Sequence, residues 1–445
     1  MALSARLGGI SAAMANRNYR LYTYGAIPSL LGTWIQRMAV GWYAWELTHS
    51  GTWLGLVAFA DLAPTVVVAP IAGAFADRID RLKAVRFVQY ANMCQAFALA
   101  FFTLSGMMTV ELLFCLALFQ GAMQGIHQPF RQSLIGNIVK RSEMTSAIGI
   151  NSTIWNTSRM IGPAISAAII LNFGVGVTFL VNAFSYIPML VTLYMIEVAP
   201  RAPSTKTLSA VPAEIMEGIR FVSGNRFIGP LIVMVFCFSF FGRATAELLP
   251  AYADKIFHFG ADGLAVLTGA AGLGSLISGF WLSQRGRMTG LADILVVSLV
   301  FLAAFQLLFT QSDALLHSAE KFVVAIPLTG LSFPASGDLL AGALVIAFWG
   351  AMLNGCGIIV QSLIQANVPD SIRGRVVSLY GMMWLGTPAV GAFVMGIVAD
   401  FTDFRLPVAV SAAVILAAAL RGYLLRARFR EEIASMTAGN DSPNG

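Results

Sequence analysis

Long stretches without a charged residue alternate with short clusters of Lys, Arg, Asp and Glu along the chain. Charge-free runs cover 87–110, 112–130, 160–196, 263–284, 294–312, 339–369 and 376–399. An α-helix rises about 1.5 Å per residue, so about 20 apolar residues cross a hydrocarbon core of about 30 Å. Three further segments read as spans in spite of one or two charges. Breaks at Gly, Pro, Asn and charge clusters predict helices near 20–47, 52–76, 84–106, 109–131, 143–171, 175–196, 227–253, 262–284, 290–311, 339–366, 373–400 and 406–425. The expected fold is an all-α membrane protein of twelve transmembrane helices.

The pattern repeats. Asn18 aligns with Asn225, Gln36-Arg37 with Gly242-Arg243, and Gly73 with Gly279, at offsets of 206 or 207. The loop after the second helix of each half aligns as GAFADRIDR (73–81) over GFWLSQRGR (279–287), and SLIGNIVKRS (133–142) aligns with SLIQANVPDS (362–371). The later offset is larger, and the extra residues fit the loop Gln311 to Asp338, whose counterpart is only Gly106 to Thr109. Two pseudo-symmetric six-helix bundles follow, 1–196 and 227–430, joined by a cytoplasmic linker at 197–226. Within the linker, Ile215, Ile219 and Val222 share one face of a short amphipathic helix expected on the inner membrane surface. Residues 431–445 read as a disordered tail. The apolar run Phe322 to Leu328 reads as length variation in an outer loop, with an outer cap as the alternative.

Composition sharpens this picture. Of 445 residues, 57% are hydrophobic and 11% charged, and a mean hydropathy of +0.75 leaves too little polar surface for a water-soluble enzyme. The net charge of +6 would permit a nucleic-acid partner, but 22 of the 28 Lys and Arg residues fall at the two ends or in alternate loops. The excess is therefore a topology signal that places both termini in the cytoplasm of a multi-pass inner-membrane protein, and nucleic acid is not expected.

Enzymatic chemistry finds no support. None of the five lysines follows a glycine, so there is no phosphate-binding Walker A loop, and no H-E-x-x-H or G-x-S-x-G pattern occurs. Cys94, Cys115, Cys237 and Cys356 fall within spans without paired metal-ligand spacing and read as buried small hydrophobes. His127 reads as packed rather than catalytic. No cofactor or metal is expected.

Charges inside the spans are the informative residues, because an ion in hydrocarbon costs several kcal/mol unless paired or hydrated. Arg37 and Asp61 fall on successive helices, each about 15 Å below the outer face by helical rise, where they can meet. Arg243 and Glu247 are four apart on one helix and can pair. Arg159 has no obvious partner. One reading makes these ions fixed pairs that lock helix packing. The other makes Asp61 or Glu247 a proton site, since burial raises a carboxyl pKa and a nearby Arg lowers it. Pro64 and Pro70 favour Asp61 by freeing backbone carbonyls near it. With three arginines against two acids at depth, one Arg is available for an anionic part of a substrate. Trp34, Gln124, Asn151, Trp155, Asn156, Phe241 and Trp384 are candidate pocket residues, whereas Trp45, Trp53 and Trp281 are expected at the interfacial belts.

The loop Gly73-Ala-Phe-Ala-Asp77-Arg78-Ile-Asp80-Arg81-Leu-Lys83 admits a bland reading as a basic inner turn. Its Gly73 would allow close helix approach, and Asp77 could meet the positive end of a neighbouring helix when an inner gate is shut. The loop resembles signature motif A of the major facilitator superfamily, with Asp80 at the family's glycine position and Leu82 in place of a basic residue. Asn18-Tyr-Arg-Leu, the Gln128-Pro-Phe-Arg-Gln132 turn and Asn156-Thr-Ser-Arg159-Met-Ile-Gly162-Pro163 resemble the drug/proton antiporter branch that includes macrolide and enterobactin exporters.

The resemblance implies two bundles rocking about a central site, with export of amphipathic small molecules, drug-like or siderophore-like, in exchange for protons. It assigns Gly73, Asp77, Arg78 and Arg81 to a conformational gate that meets the chain around Asp370 to Arg375. The expected partners are a small-molecule substrate, protons and membrane lipid, and the chain is expected to act as a monomer. A proton-coupled importer of a polar metabolite and a non-transporting membrane sensor or scaffold remain the alternatives.

Overall fold

The computed structural model describes residues 13–75, 79–140, 143–198, 211–285, 290–312, 322–325 and 332–440. Helices α1 Arg17–Thr48, α2 Gly51–Phe75, α3 Arg81–Leu104, α4 Val110–Ile138, α5 Met144–Phe173 and α6 Val175–Met195 come first. The linker helix α7 Val211–Gly224 follows, then the broken span α8 Ile228–Ile256. The remainder are α9 Gly260–Arg285, α10 Leu291–Phe309, α11 Gly337–Asn367, α12 Asp370–Phe401 and α13 Arg405–Asn440. Among the described residues, ten helices are long and apolar enough to cross a membrane. The two long helices outside that set, α1 and α5, are the ones that carry Arg37 and Arg159.

The chain divides into two compact units. The first comprises Met1–His49 and Ala60–Leu208, and the second comprises Ser50–Phe59 and Ser209–Gly445. The second unit therefore takes in the opening turns of α2, which the sequence repeat had assigned to the amino-terminal bundle. Asp400 at the end of α12 explains the attachment. Its carboxylate accepts from Ser50 Oγ at 2.6 Å, Gly51 N at 2.6 Å and Thr52 N at 2.8 Å, capping α2 from a distant segment. A carboxylate there satisfies orphan N–H groups and complements the helix dipole. Asp400→Ala is expected to lower unfolding stability by about 1–2 kcal/mol, read as a drop in the thermal midpoint in detergent.

In the first unit, α1 packs against α5 and α6, and α3 against α4 and α6. Polar side chains staple these helices. Asn182 Nδ2 donates to Gln36 Oε1 at 2.7 Å, Gln36 Nε2 donates to Gln95 Oε1 at 3.1 Å, and Gln95 Nε2 donates to the Leu116 carbonyl at 3.2 Å. Apolar packing alone gives membrane helices little preference for one partner over lipid, so such bonds fix which helices meet. His127 packs as expected, its ring nitrogen 3.4 Å from Gln89 Nε2.

In the second unit α11 packs on α9 and α10, and α10 also on α13. Gln306 of α10 is the staple here. It donates to the Phe241 carbonyl and Thr245 Oγ1 and accepts from Trp349 Nε1. Gln306→Leu leaves those partners in a dry interior and is expected to cost about 1–3 kcal/mol of stability, measured by thermal unfolding against Gln306→Glu and wild type.

Several expectations need correction. The span at 227–253 is not one regular helix: α-helix gives way to a π turn at Phe238–Gly242, a 3-10 stretch at Arg243–Leu248 and a second π turn at Tyr252–Ile256. Pro250 contributes, since it has no N–H for the carbonyl of Ala246. Gln128 to Gln132 is no turn, for α4 runs through Pro129 to Ile138. The outer loop carries an antiparallel hairpin, β1 Phe322–Ala325 with β2 Ser332–Ala335, and Ile326 to Leu328 of the apolar run lie outside the described residues. Helix α13 continues to Asn440, well past the 430 boundary set for the tail, through a segment rich in good helix formers.

Residue-level corrections have similar causes. Trp45 is fully buried with its ring edge-on to His49, so it is core and not interfacial belt, whereas Trp281 is exposed as expected. Cys94 and Cys115 are exposed and only Cys356 is buried, because the outward face of a membrane helix is itself apolar. In the repeat, Asn18 does not do the work of Asn225. Asn225 caps α8 by accepting from Phe227 N and Ile228 N, but α1 is capped by Asn16, while Asn18 donates to the Glu197 carbonyl.

Candidate functional site

The first unit brings together most of the ionic and aromatic candidates. Arg37 on α1 and Asp61 on α2 form an ion pair, Nη1 to Oδ2 at 3.2 Å, with 32% and 23% of the two side chains exposed. The guanidinium also lies 5.8 Å from the centre of the Trp34 ring, one turn earlier on α1. Trp155 of α5 meets Trp34 edge-on, centroids 5.5 Å apart. Two glycines make these approaches possible. A Cβ on Gly162 would sit 2.7 Å from the Cβ of Trp34, and one on Gly121 of α4 would sit 2.5 Å from the carbonyl oxygen of Asp61. The Ala60 carbonyl, freed of its helical donor by Pro64, lies beside the same Gly121, and Thr65 Oγ1 donates to the Gly121 carbonyl at 2.9 Å.

Other predicted residues distribute unevenly. Arg159 and Asn151 lie on α5 in line with Trp155; Arg159 Nε and Nη2, Asn151 Oδ1 and Trp34 Nε1 are buried without hydrogen-bond partners. Asn156 turns back to donate to its own helix at the Ser152 carbonyl. Gln124 is half-buried on α4, between Gly121 and Gly125, which face α2.

Within the second unit, Arg243 is tied to Trp384. Its Nη1 donates to the Trp384 carbonyl at 2.9 Å and its guanidinium lies 5.0 Å from the ring centre. Ser239 Oγ donates to the same carbonyl, and Tyr380 stacks on the indole. Phe241 is half-buried against Phe240. Glu247 follows on the 3-10 stretch, where a four-residue spacing no longer means one shared helical face.

At the hairpin loop, Asp77 and Arg78 lie outside the described residues. Among the described residues, a Cβ on Gly73 would meet nothing closer than Pro129, at 3.9 Å. Asp80, at the position of the motif's glycine, accepts from Leu82 N and Lys83 N and so caps α3, with Arg81 as the helix's first residue. Arg375 on α12 pairs with Glu217 of α7 at 2.6 Å.

A family model described as transmembrane secretion effector matches residues 10–443. The chain belongs to that family, within the major facilitator superfamily. The staphyloferrin A transporter of Staphylococcus aureus is 24% identical to this chain over 374 residues, 83% of this chain and 86% of the relative. Macrolide efflux protein A of Streptococcus pyogenes is 20% identical over 389 residues, 86% of this chain and 90% of its own. A solved structure of a bacterial homologue of the iron transporter ferroportin, in an inward-facing state, shares the fold, with a TM-score of 0.68, 16% identity and coverage of 92% of this chain and 98% of that one.

The sequence of this transporter did not reveal Gln36, Gln95, Asn182 or Gln306 as staples, nor Asp400 as a cap. The available signal was the presence of polar residues inside otherwise apolar spans, which says that a partner exists but not which one.

Proposed function

We propose that this transporter exports amphipathic small molecules in exchange for protons, by alternating access, with Asp61 as the proton site. The observation that carries the reading is the ion pair between Arg37 and Asp61 at mid-span. A carboxylate held by an arginine stays ionised, and one separated from it in a poorly hydrated setting takes up a proton. Partial exposure of both side chains supports exchange with water. The polar character of α1 and α5, which removes them from the set of strongly apolar helices, fits spans that line a wet path; counting them gives twelve spans in two six-helix halves. The macrolide efflux protein and the staphyloferrin A transporter among the relatives support a drug-like or siderophore-like substrate, and the distribution of basic residues supports cytoplasmic termini in a bacterial cell membrane. Glu247, Arg243 and Trp384 are proposed to hold the second unit's counterpart, and the 73–81 loop to bias the inner gate. Everted membrane vesicles energised with a proton gradient test the reading against a panel of fluorescent amphipathic dyes. Gradient-dependent uptake of at least one dye is expected. Movement in the opposite sense would identify an importer, and no flux across the panel would sink the carrier reading.

A further inference from the structure

Arg159 is an intramembrane cation for which the described residues of the first unit supply no acid. Arg37 already has Asp61, and among the described residues no carboxylate pairs with Arg159. Its position is fixed by its neighbours on α5. Trp155, one turn before, touches the Trp34 ring; Gly162, three residues after, lies against the Trp34 Cβ; and Ser166 Oγ donates to the Ile35 carbonyl at 2.9 Å. Residues 155, 159, 162 and 166 therefore form one stripe facing α1, with Arg159 between two contacts to the same tryptophan.

The unsatisfied atoms are specific. Nε and Nη2 of Arg159 are both buried without partners. These two nitrogens form the side-on edge of the guanidinium, which presents two parallel N–H donors spaced for the two oxygens of a carboxylate. Trp34 Nε1 is a third buried donor without an acceptor on the facing helix. Three unused donors and an uncompensated positive charge would be costly in a closed, dry interior. On the flank of the stripe, Ser152 is exposed, and Trp155 within the stripe is 37% exposed, so this edge of α5 is open to a ligand.

We propose that Arg159, with the indole N–H of Trp34, binds a carboxylate of the transported molecule, while the Trp34 and Trp155 rings receive its apolar body. The proposal rests on the exporter reading above and adds the substrate class: amphipathic carboxylic acids. A neutral amphiphile would use the rings alone.

Dansylglycine and its methyl ester share one fluorophore and differ in that charge. Binding to purified full-length protein is measured by energy transfer from tryptophan. Wild type is expected to bind the acid at least tenfold more tightly than the ester, and Arg159→Gln to bind both as weakly as wild type binds the ester. Arg159→Lys should recover only part of the preference, since an ammonium has no planar fork. Arg159→Gln should unfold no earlier than wild type, because it removes a charge that has no partner; an unfolded variant would instead mark a structural role and overturn the proposal. Equal wild-type affinity for acid and ester, or an unchanged preference in Arg159→Gln, would also overturn it. Gradient-driven flux of the ester, measured in parallel, separates the two levels. If wild type binds with the expected preference but moves neither probe, the exporter reading fails while the anion site stands.

Discussion

Asp61→Asn is expected to abolish gradient-driven export, with transport in energised vesicles falling at least tenfold while the protein still inserts and folds. Asparagine keeps the size of the side chain and its hydrogen bonding, but it cannot ionise. Arg37 then keeps its contact with the Trp34 ring and loses its counter-charge, now 3.2 Å away. A charge-assisted hydrogen bond contributes about 1.5–3 kcal/mol, and partial exposure of this pair sets the expected loss of stability toward the lower end. The effect on coupling should therefore far exceed the effect on folding. Asp61→Glu keeps an ionisable group with a longer reach and should retain part of the activity. If Asp61 and Arg37 were merely a packing lock, both variants would scale with thermal stability and with nothing else.

Gly121→Ala is expected to have the next largest effect, and for a steric reason. The new methyl would lie 2.5 Å from the Asp61 carbonyl oxygen and 2.7 Å from that of Ala60. Both obstacles are backbone atoms, so no rotamer change relieves them and α2 must move from α4. Overpacking of this kind costs about 1–3 kcal/mol. The shift falls on the turn that presents Asp61, so export should fall together with the thermal midpoint. Gly73→Ala is the control. Although Gly73 opens the signature loop, a methyl there meets nothing among the described residues closer than 3.9 Å, and stability should be unchanged. A stable, fully active Gly121→Ala protein would show that α2 and α4 do not need this contact.

Most of the spans were legible because membrane crossing requires runs of apolar residues, and charge-free runs mark them directly. The meeting of Arg37 and Asp61 was legible too, since helical rise alone puts both at one depth on successive helices. What escaped the sequence has two physical origins. Long-range polar partners leave no local trace: Asp400 caps a helix that begins 349 residues earlier, and Gln36 is bound by Asn182 across 146 residues. Backbone irregularity escapes because propensity describes residues singly. The π and 3-10 turns around Arg243 arise where packing against α12 fixes the Trp384 carbonyl as its acceptor, and in FSFFGRATAELLP only Gly242 and Pro250 hint at a break, with nothing to say that the turns on either side of Arg243 change pitch.

The origin of the internal repeat's partial success is similar. The aligned letters pair Asn18 with Asn225, and Gly286 and Arg287 of the aligned loop lie outside the described residues; Asn16 and not Asn18 performs the capping role of Asn225. Aligned position and physical role can separate by two residues when the capping turn shifts.

Proton movement accompanying substrate movement tests the central role of Asp61 most directly. Purified protein in liposomes containing trapped pyranine is given a dye that the vesicle panel identifies as transported. Wild type should move protons in the direction opposite to the dye, whereas Asp61→Asn should exchange dye for dye with no pH change inside. Proton movement at the wild-type ratio in Asp61→Asn would contradict the account.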